Sequence, residues 1–325
     1  MTVSIIIAVK TWQKNLEECV SKCLELDYPD FEIIILPDEE ETVPSGAILK
    51  KGNASVRVIP TGPVSPPEKR DIGLKHANGD ILAFLDDDAW PEKDWIKKAV
   101  ENFKDEGIAA VGGPAITCPN DNLRQKAGGE VYASILTSGK FVYRYVQKKR
   151  QEVDDFPTCN LFVRKHIMQQ LGGFNTCLWP GEDTKLCLDI TKKLGKKIIY
   201  EPKVLAYHHR RALFIPHIKQ VANYALHRGW FVKKYPQTSL KPVYFIPSLF
   251  LCALFLGGVS SLFLMPLRAI YLLGLSLYAA IIFLFSVRRH LGLTVLVFEG
   301  IIATHLTYGM YFLKGLFLKK LPEEK

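Results

Sequence analysis

The sequence predicts an α/β fold: a Rossmann-like, mostly parallel sheet covered by helices, followed by a helical transmembrane region. Three observations lead there. Short, fully apolar, β-branched runs alternate with polar helical segments through the first part of the chain. An acidic triplet follows directly on one of those runs, at the strand end where open α/β sheets bind ligands. Near Lys241 the composition changes, and two long uncharged stretches follow.

Val3–Val9 opens the chain as a buried strand. It is too short for a signal peptide, lacks a basic flank and is rich in β-branched residues. A helix over Gln13–Leu26 follows, then strands at Ile33–Leu36 and Val56–Ile59, and a helix over Pro67–Ala77. Ile81–Leu85 is a fully apolar strand, and a helix over Glu92–Phe103 begins after Pro91. Leu213–Tyr235 places Phe214, Ile218, Val221, Ala225 and Val232 roughly on one face and Lys219, Arg228, Lys233 and Lys234 elsewhere. Just ahead of the uncharged stretches, that pattern reads as an interfacial amphipathic helix. Pro242–Leu267 and Ala269–Val287 are each about long enough to cross ~30 Å of hydrocarbon. Leu291–Leu313 is also apolar but is interrupted by Glu299 and His305. The expected organisation is a catalytic domain at 1–211, an interfacial helix and linker at 212–241, and two to three spans at 242–325. Lys233, Lys234, Lys241, Arg288 and Arg289 flank the first two spans and belong in the cytosol. A third span would put Lys319 and Lys320 outside, against the positive-inside tendency, so the third stretch is left between span and interface.

At 325 residues the chain has room for one large domain and something extra. Its net charge of +9 suits a protein facing anionic lipid. The cations are spread out with no long basic run, which argues against a nucleic-acid partner. Seven cysteines form no CxxC pair, and Cys19 and Cys23 sit four apart on a helix, so structural thiols in a reducing compartment are preferred to a zinc site. Asn53-Ala54-Ser55 matches a glycosylation sequon that a cytosolic loop would never have modified.

The chemistry starts at Asp86-Asp87-Asp88. Three adjacent carboxylates repel one another and need a cation or donors to neutralise them. Oxygen ligands suit Mg²⁺ or Mn²⁺, which can bridge to substrate phosphates. An acidic triplet alone fits a solvated loop equally well; its place at the end of a buried strand favours metal.

An ordered set of segments over roughly residues 1–235 resembles family 2 glycosyltransferases. The set comprises Val3–Val9, Asp30–Asp38, Pro67–Asp71, Ile81–Leu85 with Asp86-Asp87-Asp88, Pro91 and Trp95. It continues with Gly172-Gly173-Phe174-Asn175, Gly181-Glu182-Asp183, Tyr200-Glu201-Pro202 and Tyr207-His208-His209-Arg210-Arg211. The resemblance implies a GT-A fold and an inverting transfer from a nucleoside-diphosphate sugar, with a divalent metal (Mg²⁺ or Mn²⁺) as cofactor. Asp88 and His208 would hold the metal, His208 rather than His209 because side chains alternate along a strand. Ala8, Asp38, Asp86, Asp87, Arg210 and Arg211 would line the nucleotide-sugar, and Lys69 or Arg70 would approach the diphosphate. For Lys69 and Arg70 a solvated helix face is the other reading. Pro37-Asp38-Glu39-Glu40 departs from the family's usual acidic pair with a small polar residue. Asp183 would be the catalytic base, near the start of a helix that would keep it ionised. Glu182 and Asn160 would lie near the acceptor.

The membrane region points to an integral plasma-membrane protein with a cytosolic catalytic domain. Its acceptor would be a lipid-linked or cell-envelope glycan intermediate in polysaccharide biosynthesis, presented among membrane lipids. Three rivals were weighed. A nucleotidyltransferase would need a Gly-rich, Arg-containing loop where Ala8-Val9-Lys10-Thr11-Trp12 stands. An inactive, transferase-like membrane scaffold would have lost Asp86, Asp88, Asp183 or His208. A processive synthase that exports its polymer would need more than three spans.

Overall fold

The computed structural model describes residues 1–39, 50–51, 54–321 and 323. Glu40 and Asn53, named above, lie outside them. The strands are β1 (Val3–Ala8), β2 (Phe31–Leu36), β3 (Lys50–Lys51), β4 (Ala54–Val58), β5 (Ile81–Asp86), β6 (Ala89–Pro91), β7 (Ile108–Gly112), β8 (Ala115–Thr117), β9 (Gln151–Val153), β10 (Asn160–Arg164), β11 (Lys197–Tyr200) and β12 (Ala206–His208). The helices are α1 (Lys14–Cys23), α2 (Pro66–His76), α3 (Trp95–Val100), α4 (Leu123–Ala133), α5 (Ile135–Ser138), α6 (Lys165–Leu171), α7 (Glu182–Leu188), α8 (Ile215–Lys234), α9 (Pro236–Ser239), α10 (Pro242–Phe263), α11 (Met265–Ser286) and α12 (Leu291–Phe317).

The chain forms two compact units. One comprises Met1–Ile116, Tyr143–His209 and Glu323–Lys325; the other comprises Thr117–Val142 and Arg210–Pro322. The first unit holds a nine-stranded sheet in the order β3-β4-β2-β1-β5-β10-β7-β11-β9 and a small sheet in the order β6-β12-β8. Strands β4, β2, β1 and β5 run parallel, β10 lies antiparallel between β5 and β7, and β11 is parallel to β7. The central strands are apolar on both faces, as a sheet covered on both sides requires. Ile5, Ile6, Ile7, Ile33, Ile34 and Ile35 are all fully buried, each worth about 1.5–3 kcal/mol relative to exposure.

At the amino-terminal edge of these strands a buried polar knot ties the sheet together. Ser4 Oγ donates to Glu32 (2.7 Å), Glu32 pairs with Arg57 (2.7 Å), and Gly79 N donates to Ser4 Oγ (2.8 Å). The opposite edge carries the acidic residues singled out above. Ala8 stands beside both Leu36 and Asp86 in the register, so Asp38 and Asp86–Asp88 leave the sheet at the same edge.

The helix expected over Glu92–Phe103 is shorter. Ala89–Pro91 pairs antiparallel with β12, the helix begins only at Trp95, and a 3-10 turn continues over Glu101–Lys104. Pro91 thus ends a strand instead of starting a helix.

The second unit is helical. Among the described residues three of its helices are long and apolar enough to cross a bilayer: Pro242–Phe263, Met265–Ser286 and Leu291–Phe317. The amphipathic segment expected near 213–235 is the continuous helix α8. Helix α12 packs on α4 through Val131, Val297 and Ile301. It approaches α8 so closely that a Cβ on Gly229 would strike the Phe312 carbonyl, and one on Gly315 would strike that of Leu226.

Candidate active site

Antiparallel pairing of β6 with β12 sets Ala89 opposite His208. Asp88, one residue before β6, therefore meets His208, and His208 Nε2 lies 2.9 Å from Asp88 Oδ1. His209 N closes the ladder on the Asp88 carbonyl at 2.9 Å, while its own ring turns away to Glu18 (2.9 Å). The alternation that favoured His208 over His209 is thus seen in the two rings' partners. Asp86 completes the group: one ligand atom from each of Asp86, Asp88 and His208 lies within 4.8 Å of the others. Two carboxylates and an imidazole at this spacing fit a hard divalent ion that keeps open positions for phosphate oxygens. Asp87 points elsewhere and accepts from Gln13 Nε2. Burial, with Asp88 and Asp86 nearby, pushes its carboxyl up to about 6.

Lys69 and Arg70 are not a solvated helix face. Capped by Ser65 and Glu68, α2 presents both inwards, 3% and 5% exposed. Lys69 Nζ donates to Val9 O (2.9 Å), Leu36 O (3.2 Å) and Asp38 Oδ1 (2.5 Å). Its three donors brace the ends of β1 and β2. Asp38 is held by the same bond. Arg70 bridges two carboxylates, with Nη1 on Glu182 (2.8 Å) and Nη2 on Asp86 (3.2 Å), while its buried Nε has no partner. Burial alone would weaken this cation; Glu182 and Asp86 outweigh it and hold Arg70 above its ordinary pKa.

Next to Arg70, Asp71 accepts from Phe174 N (2.7 Å) and Asn175 N (3.2 Å). This pins the Gly172-Gly173 turn, whose positive φ angles of 77° and 86° suit glycine. Helix α2 therefore fixes the segment leading to α7 at two points, Asp71 and Arg70. Glu182 and Asp183 form the first turn of α7. Asp183 Oδ1 accepts from Thr184 N (2.7 Å), and Thr184 Oγ1 donates to the buried Asp155 (3.3 Å), which faces Arg144 at 3.6 Å. Burial, then the charges of Glu182 and Asp155, push the Asp183 carboxyl up to about 7. The helix start that was expected to keep it ionised is outweighed by that desolvation and by like charge.

The remaining expected residues fall into two groups. Asn160 is fully buried. It accepts from Trp95 Nε1 (2.8 Å) and donates to Pro114 O (3.1 Å) and Val204 O (2.8 Å), so no exposed atom is left for an acceptor. Glu182, 4% exposed, is likewise engaged, by Arg70 and by Gly181 N (3.0 Å). Arg210 and Arg211 belong to the second unit, where Arg210 N donates to Asp121 (3.0 Å) and the Arg211 carbonyl lies against Gly128. Gln13, Glu18, Arg144 and Asp155 were missed. They stand between recognisable motifs, and only the folded chain brings them to Asp87, His209 and Thr184.

A Rossmann-like, mostly parallel sheet of this order has the GT-A fold of glycosyltransferases. Residues 4–171 match the family described as Glycosyl transferase family 2, and the chain belongs to that family. It is 25% identical over 249 residues to the dolichyl N-acetyl-alpha-D-glucosaminyl phosphate 3-beta-D-2,3-diacetamido-2,3-dideoxy-beta-D-glucuronosyltransferase of Methanococcus voltae, covering 71% of this chain and 74% of the relative. It is 26% identical over 188 residues to glycosyltransferase AglE of Haloferax volcanii, covering 56% and 58% respectively. The mannosyltransferase PcManGT from Pyrobaculum calidifontis, solved with GDP-Man and Mn²⁺, shares the fold with a TM-score of 0.60. That likeness covers 98% of this chain and 88% of that one, at 18% identity.

Proposed function

We propose that the chain is a membrane-anchored, inverting glycosyltransferase. It moves a sugar from a nucleoside-diphosphate donor to a lipid-linked glycan intermediate at the cytosolic face of the membrane. The observation that carries this reading is the Asp86, Asp88 and His208 group at the sheet edge, joined through Arg70 and Glu182 to the turn that bears Asp183. Asp88 and His208, with Asp86, would hold Mg²⁺ or Mn²⁺; bound there, the ion supplies charge against the departing diphosphate. The sheet edge at Ala8 and Asp38 receives the nucleoside, with Asp87 beside it. Asp183 takes the proton from the acceptor hydroxyl as its oxygen bonds to the anomeric carbon. The bond from that carbon to the diphosphate oxygen breaks, and the nucleoside diphosphate leaves with the electron pair.

The lipid-linked acceptor is supported by the Methanococcus voltae relative, named as a transferase to a dolichyl-phosphate-linked sugar. It is also supported by the long apolar helices that follow the sheet domain. Radiolabelled donor incubated with membrane extracts should place label in the lipid fraction. Label confined to aqueous products would reject the lipid acceptor while leaving the transferase reading intact.

A further inference from the structure

Length and composition make three helices fit to cross a bilayer, yet the contacts of α12 separate it from the other two. Its middle is tied to α4, α5 and α8. Gly300 lies against Val131 and Leu213, His305 Nε2 is 2.9 Å from the Leu136 carbonyl, and His217 Nε2 is 3.0 Å from Thr304 Oγ1. From there α12 runs beside α8 in the same direction. Thr304 meets His217, Gly315 meets Leu226 and Trp230, and Lys233 donates to the Leu318 carbonyl. Helix α8 carries Lys219, Arg228, Lys233 and Lys234. A crossing by α12 would drag that charged neighbour into hydrocarbon.

The contacts of α12 fall toward the start of α10 and in the second half of α11. Phe312 stacks edge-on to Phe245 (5.0 Å) and Gly309 O accepts from Ser248 Oγ (2.9 Å), near the start of α10. Phe298 meets Phe283 (6.4 Å) and His305 meets Tyr278 (3.1 Å), in the carboxyl-terminal half of α11. Beyond those turns α10 and α11 bond to each other: Tyr271 donates to Leu254 O (3.1 Å) and Arg268 to Ser261 O (3.1 Å). Residues 262 to 270, at their junction, are exposed without a break.

We propose that the chain crosses the bilayer twice. On this inference α10 and α11 form the membrane hairpin, and α12 lies in the cytosolic membrane surface beside α8. The proposal rests on the reading that the sheet domain is cytosolic and membrane-anchored. The exposed residues Leu291, Val295, Glu299, Met310, Lys314 and Phe317 fall on one side of α12 at helical spacing. That mixed side suits a helix facing acyl chains and headgroups together. Arg288 is held by Glu130 of α4 at 2.7 Å, and the chain reaches α4 from β8 and leaves it for β9 with no span between. Arg288, Arg289, Lys319 and Lys320 then lie on one side, as the positive-inside tendency asks. Only Arg268 marks the far end of the hairpin.

The test is labelling of single cysteines in intact cells by a membrane-impermeant maleimide, before and after permeabilisation. Lys97→Cys, Met265→Cys and Lys320→Cys are placed one at a time in the full chain, with exposed Cys177 and Cys252 changed to Ser. All three introduced positions are exposed. The expected result is labelling of Met265→Cys in intact cells, with Lys97→Cys and Lys320→Cys reacting only after permeabilisation. Lys320→Cys labelled in intact cells while Lys97→Cys stays protected would establish three spans and overturn the proposal. Met265→Cys protected alongside both others would overturn it by showing that the hairpin does not cross. Lys97→Cys labelled in intact cells would instead remove the cytosolic reading on which the proposal rests.

Discussion

At Asp183, burial and two neighbouring carboxylates leave a side chain that titrates near neutrality, with a pKa of about 7, the range in which a general base works best. As the proposed base it would act ionised, so kcat/KM should rise about tenfold per pH unit below that value and level off above it. A flat profile between about pH 5.5 and 8.5 would remove Asp183 from the role. The same shift acts on stability in the opposite sense. The folded pKa lies above the unfolded one, so this group's contribution is most favourable below the unfolded pKa. It is lost as pH rises through about 7. Asp183→Asn should therefore cut activity by about 10²-fold or more while stabilising the fold at alkaline pH by about 1–2 kcal/mol, read as a higher Tm. His208→Ala leaves the two acids to hold the ion. It should raise the Mn²⁺ concentration needed for half-maximal activity by about 10-fold or more, measured by metal titration of the activity.

Helix α2 works as a brace, and its effects should appear as positioning. Gly173 has a φ of 86°, and a Cβ there would strike the Asp71 carboxylate. Gly173→Ala should cost about 1–3 kcal/mol in stability and lower kcat more than the KM for donor, because the turn leads to Asp183 and not to the nucleotide. An unchanged kcat would show that this turn does not set the base. Most of the strands, and the acidic end of β5, were legible in the sequence because unbroken β-branched runs leave little alternative to buried parallel strands. What α2 does was not legible. Lys69 and Arg70 look the same on paper whether they face water, phosphate or carboxylates, and only the packing of α2 on the strand ends assigns their partners. The partners of Asn160 were hidden for the same reason, since a polar residue entering β10 does not show on paper that Trp95 and two carbonyls use its amide. The path of α12 was hidden too. Apolar length reports that a helix can cross hydrocarbon, while Gly229 and Gly315, small residues that let two helices touch, report which neighbour it follows.

For the molecule as a whole, the sheet unit supplies a metal-compatible edge and the proposed base, and the helical unit supplies apolar length for a bilayer. Alkaline carbonate should leave the protein in the membrane pellet, as expected for a chain held by spanning helices; release into the supernatant would contradict the anchoring. The central claim is metal-dependent use of a sugar nucleotide at Asp86, Asp88 and His208. Its most direct measurement is hydrolysis of a panel of nucleoside-diphosphate sugars by the purified full chain, with Mg²⁺ or Mn²⁺, with EDTA, and with Asp88→Ala. Turnover of one donor that is abolished by both EDTA and the substitution is the expected result. Turnover that survives EDTA and Asp88→Ala would contradict the claim, and so would a calorimetric absence of metal-dependent binding for every donor in the panel.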